Sequence, residues 1–387
     1  CIRDRNFFEL EAKNTSIKRE LLAGATTFIT MVYIIFVNPT MMAETGMDYG
    51  ASFVGTCLAA AVACFAMGVL ANWPVALAPG MGLNAFFTYT VVGEMGYSWQ
   101  VALSAVFIAG VLFFVISVTP LRRWILESIP SSLRISMGAG IGLFIGFIGL
   151  KSSGIIVSNP VNYVSLGDLT KAEPYLGLLG FLIITVLSIR KVPGAIMLGI
   201  VAITLIAILT NKVEFSGVFS APPSIAPVLF ELDFNGALNI GMVSVVLTFL
   251  FVNLFDTAGT LLAVATSANL VNPQGKIENL DRALKADSTS SIFGTLVGCA
   301  PVTSYVESSA GVSAGGRSGL TAVFVGCFFC LAIFISPLAS IIPAYATAGA
   351  LIYVAIIMLS GLEKLEWSDQ TCLLYTSQSP RDQRGSG

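Results

Sequence analysis

The chain alternates long apolar runs with short polar connections. At about 1.5 Å of helix per residue, most of these runs are long enough to cross a hydrocarbon layer about 30 Å thick. The pattern predicts twelve membrane spans: 21–43, 51–71, 74–91, 99–119, 134–150, 175–189, 193–210, 237–260, 287–299, 301–315, 319–336 and 343–360. The longest polar connections are each too short to fold as a separate domain: 151–174, 211–236 and 261–286.

Two of these spans are interrupted by residues that do not favour a continuous helix. The third contains Ala78-Pro-Gly-Met-Gly-Leu-Asn-Ala85, and the tenth contains Gly298-Cys-Ala-Pro-Val-Thr-Ser-Tyr-Val-Glu-Ser-Ser-Ala-Gly311. Non-helical backbone is tolerated at membrane depth only where protein buries it or where it lines a cavity. Val302 to Val306 suits extended backbone, and Ser308 to Gly311 suits the start of a half-helix with free N–H groups. The two spans therefore predict a polar pocket.

A weak internal repeat relates the two halves of the chain. Phe36-Val-Asn-Pro39 in the first span resembles Phe251-Val-Asn-Leu254 in the eighth. Ala78-Pro79 precedes Asn84 in the third span, as Ala300-Pro301 precedes Glu307 in the tenth. The paired elements are seven spans apart, and an odd number inverts the second copy in the membrane, as in many transporters.

Composition places the chain among membrane proteins. Hydrophobic residues make up 55% of its 387 residues and charged residues 11%, with a mean hydropathy of +0.85, whereas about a quarter of the residues of a soluble domain are charged. The net charge of -2 does not indicate a nucleic-acid partner. The cysteines lie mostly in apolar runs, and the chain has no histidine to complete a zinc site. We therefore expect an all-α polytopic membrane protein with lipid around it, no metal and no cofactor.

Lysine and arginine residues indicate the orientation of the chain. If the N-terminus is cytoplasmic, the only ones before residue 370 on the opposite side are Lys151, Lys171 and Lys212. Basic residues are enriched in cytoplasmic loops, so this bias supports the order of the spans. We expect a multi-pass protein of the inner (plasma) membrane with its N-terminus in the cytoplasm.

The domain organisation follows from these spans. Residues 1–20 are expected to form a cytoplasmic lead-in and residues 261–286 a cytoplasmic loop, with the transporter domain at 21–260 and 287–360. Within that domain, 21–210 would form repeat one and 237–360 an incomplete repeat two. Cys1 at the start suggests a fragment, and the polar segment 370–387 resembles a non-native tail.

Two acidic residues are candidates for function. Of the 22 Asp and Glu residues, Asp256 and Glu307 are the ones that the pattern places well inside apolar spans. An ionisable group at the bilayer centre costs about 2.5–3.5 kcal/mol, and such groups usually line a substrate or ion path. Because the chain has no histidine, a coupling proton would be carried by a carboxylate, with Asp256 as the candidate. Asn84, at a corresponding depth, offers both a donor and an acceptor.

A planar heterocycle would suit these side chains. The acids and Asn84 can pair with its edge, and an aromatic ring can stack on its face. The aromatic candidates are Phe86, Phe87, Phe255 and Tyr305.

Several segments resemble the xanthine/uracil permease superfamily, and most closely its adenine/guanine/hypoxanthine branch. The resemblance extends from residue 7 to residue 369. Its segments are Phe8-Glu-Leu10, Glu20-Leu-Leu-Ala-Gly-Ala-Thr-Thr-Phe-Ile-Thr-Met-Val-Tyr-Ile-Ile35, Ala78 to Phe87, Phe255-Asp-Thr-Ala-Gly-Thr260, Ala286-Asp-Ser288, Thr303 to Val312, and Gly315-Gly-Arg-Ser-Gly-Leu-Thr321.

The resemblance implies proton-coupled uptake of hypoxanthine, guanine or adenine. It implies two inverted repeats of seven segments, a core domain with the site, a mobile gate domain and a homodimer. The last two segments would then be missing here. Glu307 would bind the base edge, Asp256 would bind and couple the proton, and Asn84 would orient the base. The expected substrate-binding set is Glu307, Asp256, Asn84, Tyr305, Ser308, Thr257 and Phe86, with Asp256 and Glu307 as the proton-coupling pair.

Two alternative functions are disfavoured by the residues. An intramembrane aspartyl protease would also bury two acids, but it needs a GxGD motif, which Ser304-Tyr-Val-Glu307 does not provide. An anion or sulfate-type transporter or channel of the same fold is the more serious alternative. Two buried carboxylates without a neighbouring basic residue disfavour an anionic substrate.

Overall fold

A computed structural model gives the structure of residues 7–119, 131–213, 217–268, 270 and 277–364, except for the side chains of 131–135, 137 and 364. The proposed tail at 370–387 lies outside these residues. The first half contains α1 (Ile17–Met31), α2 (Ile34–Glu44), α3 (Tyr49–Ala66, continued by the π-helical Met67–Ala71), β1 (Leu77–Pro79), α4 (Met81–Ala85, continued by the π-helical Phe86–Glu94), α5 (Trp99–Val118), α6 (Ser131–Ser152), β2 (Ile156–Asn159), β3 (Tyr163–Leu166), α7 (Ala172–Ile189) and α8 (Ala195–Leu209).

The second half repeats the mixture of long helices and one short strand. It contains α9 (Phe234–Ala237), α10 (Ile240–Ser267), α11 (Leu280–Leu296), β4 (Val302–Ser304), α12 (Ser308–Ser313), α13 (Gly319–Ala332), α14 (Ser336–Ile341) and α15 (Ala344–Leu359), with short 3-10 turns at Ala226–Val228, Ile333–Ile335 and Ser360–Lys364. Helices dominate because hydrocarbon offers no partner for backbone N–H and C=O groups, which a helix pairs internally.

Several helix starts are fixed by polar side chains next to the apolar runs. Ser16, Asp48, Ser98 and Ser318 each accept a hydrogen bond from a backbone N–H in the first turn of α1, α3, α5 and α13. Such caps satisfy donors that a helix cannot pair within itself.

The described helices support a polytopic chain, while the number of twelve spans stays a prediction. Seven segments are long and apolar enough to cross a membrane, and Gly138–Ser152 and Ala195–Leu209 are shorter apolar helices. The third and tenth predicted spans contain β1 with α4 and β4 with α12. The ninth is the second half of α11, whose buried face is unusually polar: it includes Asp287, Ser288, Ser290 and Ser291. The chain is therefore a mostly helical, multi-pass membrane protein.

The predicted loop at 261–286 is shorter in the structure. Helix α10 continues to Ser267, and α11 already begins at Leu280. The apolar pattern misses both ends because a helix can extend beyond the hydrocarbon layer, where its side chains become polar.

Two groups of helices can be distinguished by their packing. One group contains α6, α7, α8 and α15, where α15 packs on α6 and α7 and α8 packs on α7. The other contains α1, α3, α5, α10, α11 and α13; α13 packs on α1 and α3, and α11 packs on α3 and α5. The interrupted segments lie mainly with the second group, since β1 contacts α3 and β4 contacts α10 and α11.

The interrupted segments cross through a short antiparallel strand pair. Leu77 pairs with Ser304, Ala78 with Thr303 and Pro79 with Val302. The prediction of extended backbone in these spans is confirmed. Together the two strands satisfy backbone groups that neither broken helix could pair alone.

Two glycines let α3 and α13 touch backbone to backbone. A Cβ atom on Gly319 would overlap the carbonyl oxygen of Gly68. We expect Gly319→Ala to lower the midpoint of thermal unfolding in detergent, because overpacking a close contact typically costs about 1–3 kcal/mol. Gly140→Ala is the matched control, since a Cβ there meets nothing within 4 Å. Equal midpoints for the two variants would contradict this packing.

Candidate functional site

The strand crossing positions the candidate site. Because β1 and β4 are antiparallel, the chain leaves the pair at opposite ends, toward α4 with Asn84 and toward α12 with Glu307. Bonds outside the ladder extend the crossing. The Gly80 N–H donates to the Pro301 carbonyl over 2.9 Å, and the Tyr305 N–H donates to the Ala76 carbonyl over 3.0 Å. The crossing is therefore a firm support for the side chains that follow each strand.

Glu307 is half-buried and is held by a tyrosine from the first span. The Tyr33 hydroxyl donates to Glu307 Oε1 over 3.0 Å. Tyr33 lies in the short break between α1 and α2 and is itself fully buried. Sequence reasoning missed Tyr33, because a partner 274 residues away leaves no local signal.

Asp256 is exposed on α10 and is connected to the strand crossing. The Thr303 hydroxyl donates to Asp256 Oδ2 over 3.3 Å. The same hydroxyl lies 3.1 Å from the Thr257 hydroxyl. Thr257 therefore faces the protein interior, while Asp256 can be reached by a small molecule.

A third acid, Asp287, lies behind Asp256. Its Oδ1 accepts from the Thr257 hydroxyl over 3.0 Å, and its Oδ2 accepts from the Ser304 hydroxyl over 2.6 Å. Asp287 is fully buried on α11. It interacts electrostatically with Asp256. Hydroxyl groups thus bridge an exposed carboxylate and a buried one.

Sequence reasoning did not assign a role to Asp287. It sits at the edge of the predicted ninth span, so the apolar pattern placed it within reach of water. The run Asp287-Ser-Thr-Ser-Ser291 carried a usable signal, because consecutive small polar residues inside a membrane helix indicate a face that packs against protein.

Removing the Asp287 carboxylate should destabilise the protein. In Asp287→Ala, the Thr257 and Ser304 hydroxyls lose their acceptor, and each unpaired buried group costs about 1–3 kcal/mol. We expect a lower thermal midpoint in detergent, measured with tag fluorescence on size exclusion. Asp287→Asn keeps one acceptor oxygen and should fall between the wild type and Asp287→Ala. A midpoint for Asp287→Ala equal to that of the wild type would contradict a supporting role.

Asn84 is fully buried on α4 and faces the first span. Its Nδ2 donates to Asn38 Oδ1 over 2.6 Å. Its own Oδ1 has no hydrogen-bond partner within the protein. Asn84 is therefore brought to the strand crossing, with one hydrogen-bonding group used and one free.

Tyr305 and Ser308 hold the backbone of the crossing. The Tyr305 hydroxyl donates to the Pro79 carbonyl over 2.5 Å, and Ser308 Oγ accepts from the Ala76 N–H over 3.0 Å. Both residues are buried. Their polar atoms thus have backbone partners on the opposite interrupted segment.

The expected free N–H groups at the start of α12 are not free. The N–H groups of Ser308, Ser309 and Ala310 donate to the carbonyls of Tyr305, Val306 and Glu307. The reason is local: residues 305–307 form a turn that pairs the first donors of the helix before any ligand could.

Among the predicted aromatic residues, Phe86 is the least enclosed. It is half-buried and packs edge to face on Phe249, with ring centroids 5.1 Å apart. Phe87 is fully buried, and Phe255 is buried and stacks on Phe251. Phe86 is therefore the aromatic candidate for contact with a ligand.

The electrostatics of the site are acidic. Asp256 interacts electrostatically with Glu307 as well as with Asp287. Within the described residues, the side-chain donors to these acids are the hydroxyl groups of Tyr33, Thr257, Thr303 and Ser304 rather than lysine or arginine. The described residues also contain no cluster of three His, Cys, Asp or Glu side chains placed to hold a metal ion. The geometry suits a neutral ligand with hydrogen-bond donors, or a proton.

Solved structures share this fold. The transmembrane domain of the cyanobacterial bicarbonate transporter BicA matches with a TM-score of 0.68 at 15% identity, over 88% of this chain and 89% of that chain. The murine anion transporter Slc26a9 in its inward-facing state matches with a TM-score of 0.60 at 13% identity, over 94% of this chain and 63% of that one. The fold is thus that of a class of multi-pass membrane transporters.

Sequence comparison identifies the protein family to which the chain belongs. The Xan_ur_permease model, described as "Permease family", matches residues 18–376. The chain is 48% identical over 364 residues to the adenine permease AdeP of Escherichia coli K12. The alignment covers 94% of this chain and 82% of that protein. It is 42% identical over 370 residues to the guanine/hypoxanthine permease PbuO of Bacillus subtilis, covering 94% of this chain and 85% of that one. The chain therefore belongs to the xanthine/uracil permease family, and it is a permease rather than an enzyme.

Proposed function

We propose that the protein is a secondary active transporter that couples proton movement to the uptake of purine nucleobases. The observation that carries the proposal is the presence of two acids, an exposed Asp256 bonded to Thr303 of one crossing strand and a half-buried Glu307 just after that strand. The substrate class is supported by relatives named as adenine and guanine/hypoxanthine permeases. Hypoxanthine, guanine and adenine are the candidate substrates.

Each site residue has a role in this proposal. Glu307 binds donor groups at the edge of the base, while the Tyr33 hydroxyl donates to its Oε1. Asp256 binds the proton and contributes to base binding. Asn84 orients the base, and Phe86 stacks on its face. Tyr305, Ser308 and Thr257 support the site through the backbone and Asp287, in agreement with their burial.

Asp287 is connected to Asp256, the proposed proton-binding residue. The hydroxyls of Thr303 and Thr257 lie between Asp256 and Asp287, so the two acids share one hydrogen-bonded group. Asp287 thereby supports the position of Asp256 through these hydroxyls without itself meeting the base.

Transport requires the site to open alternately to each side of the membrane. We assign this movement to the two helix groups, with α6, α7, α8 and α15 as the gate and the group around the crossing as the core. Inverted repeats are supported by parallel contacts: Asn38 Nδ2 donates to Thr56 over 2.7 Å, and Asn253 Nδ2 donates to Ser291 over 3.1 Å. In each half, an asparagine thus binds a hydroxyl of the following span.

The membrane setting completes the proposal. We place the protein in the inner membrane with its N-terminus in the cytoplasm, on the basis of the lysine and arginine distribution. A homodimer formed through the gate group is also proposed. Crosslinking in native membranes tests the dimer, and accessibility of a cysteine introduced near Lys171 tests the orientation.

Uptake assays test the function. Cells without their own purine permeases, producing this protein, should accumulate radiolabelled hypoxanthine, guanine or adenine above cells carrying an empty plasmid. Excess unlabelled purine should compete. Absence of uptake for all three bases, with the protein correctly inserted in the membrane, would contradict the purine assignment.

The anion alternative is tested with the purified protein. The fold relatives are named for bicarbonate and anion transport, but at 15% and 13% identity they support the fold alone. Purified protein in liposomes should not exchange chloride, sulfate or bicarbonate. Anion exchange without purine uptake would replace the proposed function.

A further inference from the structure

One buried amide of the site has a fixed polarity. Asn84 uses Nδ2 to donate to Asn38 Oδ1 over 2.6 Å, and its Oδ1 is buried without a partner in the protein. A buried polar atom without a partner is rare and calls for an explanation. Here the explanation lies in the hydrogen bonds that connect Asn38 to Thr56 and Ser52.

These hydrogen bonds determine the orientation of each side-chain amide. Asn38 Nδ2 donates to Thr56 Oγ1 over 2.7 Å, and the Thr56 hydroxyl donates to the Ser52 carbonyl over 2.7 Å. A backbone carbonyl can only accept, so the single Thr56 hydrogen is used there. The Thr56 oxygen must then accept from Asn38, and the Asn38 oxygen must accept from Asn84. The free atom of Asn84 is therefore an acceptor.

The sulfur of Cys299 is compatible with this orientation. It lies 3.6 Å from Asn38 Nδ2 and is a weak acceptor for the second N–H of that amide. All three residues are fully buried, so water does not compete for these groups. Reversing the Asn38 amide would sacrifice the bond from Thr56 to Ser52, and one such bond corresponds to up to about a tenfold preference.

We propose that Asn38 and Thr56 are specificity-determining positioning residues, which fix Asn84 as a hydrogen-bond acceptor and so select bases with a donor at the facing position. This inference rests on the proposed function, because it assumes that Asn84 meets a purine. Asn84 is fully buried in this conformation, so the contact forms only when the site opens around it.

The chemistry of purines makes this polarity decisive. Adenine and hypoxanthine exchange donor for acceptor along the edge of the six-membered ring. The 7-deaza and 9-deaza analogues fix which nitrogen of the five-membered ring carries a hydrogen. An acceptor that cannot rotate will favour one member of such a pair, since the other places opposite it either a second acceptor or, in a deaza analogue, a C–H group that makes no comparable hydrogen bond.

Inhibition constants for Thr56 variants test the proposal. Adenine, hypoxanthine, 7-deazahypoxanthine and 9-deazahypoxanthine compete with the labelled purine that the wild type transports. Thr56→Val keeps the shape but lacks the hydroxyl, whereas Thr56→Ser keeps the hydroxyl. In the wild type and Thr56→Ser, we expect at least one pair to differ about tenfold or more. In Thr56→Val the ratio of the two inhibition constants of that pair should shrink at least about fivefold. The maximal uptake rate should change by a smaller factor.

Each other result contradicts the inference. Unchanged ratios of the inhibition constants in Thr56→Val would mean that the hydrogen bonds through Thr56 and Asn38 do not fix the orientation of the Asn84 amide. An equal loss in Thr56→Ser would indicate packing rather than the hydroxyl, and so would a fall in maximal rate at constant ratios. Failure of the proposed function is a distinct result, because the wild type itself would then transport no purine.

Discussion

Glu307→Gln should reduce purine uptake about 100-fold, to nearly the background of cells without the transporter. The carboxylate is expected to accept hydrogen bonds from the base through Oε2, while Tyr33 holds Oε1. Hydrogen bonds to a charged group are worth about 1.5–3 kcal/mol, or roughly 10- to 150-fold in binding. Glutamine has nearly the same shape, but it replaces one acceptor oxygen with a donor NH₂ group.

Initial rates of labelled purine uptake measure this effect, normalised to the amount of protein in the membrane. Glu94→Gln is the control, because Glu94 is exposed at the end of the π-helical segment after α4. It should retain the wild-type rate. If Glu307→Gln transports within twofold of the wild type, Glu307 is not the main binding group.

Asp256→Asn should separate binding from energy coupling. The amide cannot take up and release a proton, so the variant should lose gradient-driven accumulation by at least about tenfold. Exchange of internal labelled purine for external unlabelled purine should continue, because it requires no net proton movement. The hydrogen bond from Thr303 can be kept by the amide oxygen, so the site should preserve its shape.

Accumulation and exchange are compared in the same vesicles. Asp168→Asn serves as the control, since Asp168 lies in an exposed loop between β3 and α7 and its carboxylate accepts from the neighbouring Thr170. That variant should behave as the wild type in both assays. Loss of exchange together with accumulation in Asp256→Asn would assign Asp256 to base binding rather than to coupling.

Much of the fold can be predicted from the sequence, because hydrocarbon imposes simple rules on it. Apolar length identifies the spans, and Pro79 and Pro301 with neighbouring glycines identify the two that break. The ends of α10 and α11 are missed for the same reason: apolarity reports the lipid boundary, while a helix ends where its backbone pairing ends.

The site is only partly predictable. Asp256, Glu307 and Asn84 stand out as polar groups in apolar spans, and the structure brings all three to the strand crossing. Asp287 does not stand out, because α11 turns a polar face toward protein instead of lipid. The hydrogen bond between Tyr33 and Glu307 depends on tertiary packing, which the hydrophobic periodicity of the sequence does not report. Burial of Tyr305 and Thr257 likewise follows from contacts with distant segments.

The central claim is that a proton gradient drives purine uptake through the site around Asp256 and Glu307. Its most direct test is uptake of labelled hypoxanthine, guanine and adenine by the purified protein in liposomes, with an imposed gradient that is alkaline inside. We expect accumulation of at least one base above equilibrium only while the gradient lasts, with loss on addition of a protonophore. Equal purine entry with and without the gradient would contradict proton coupling.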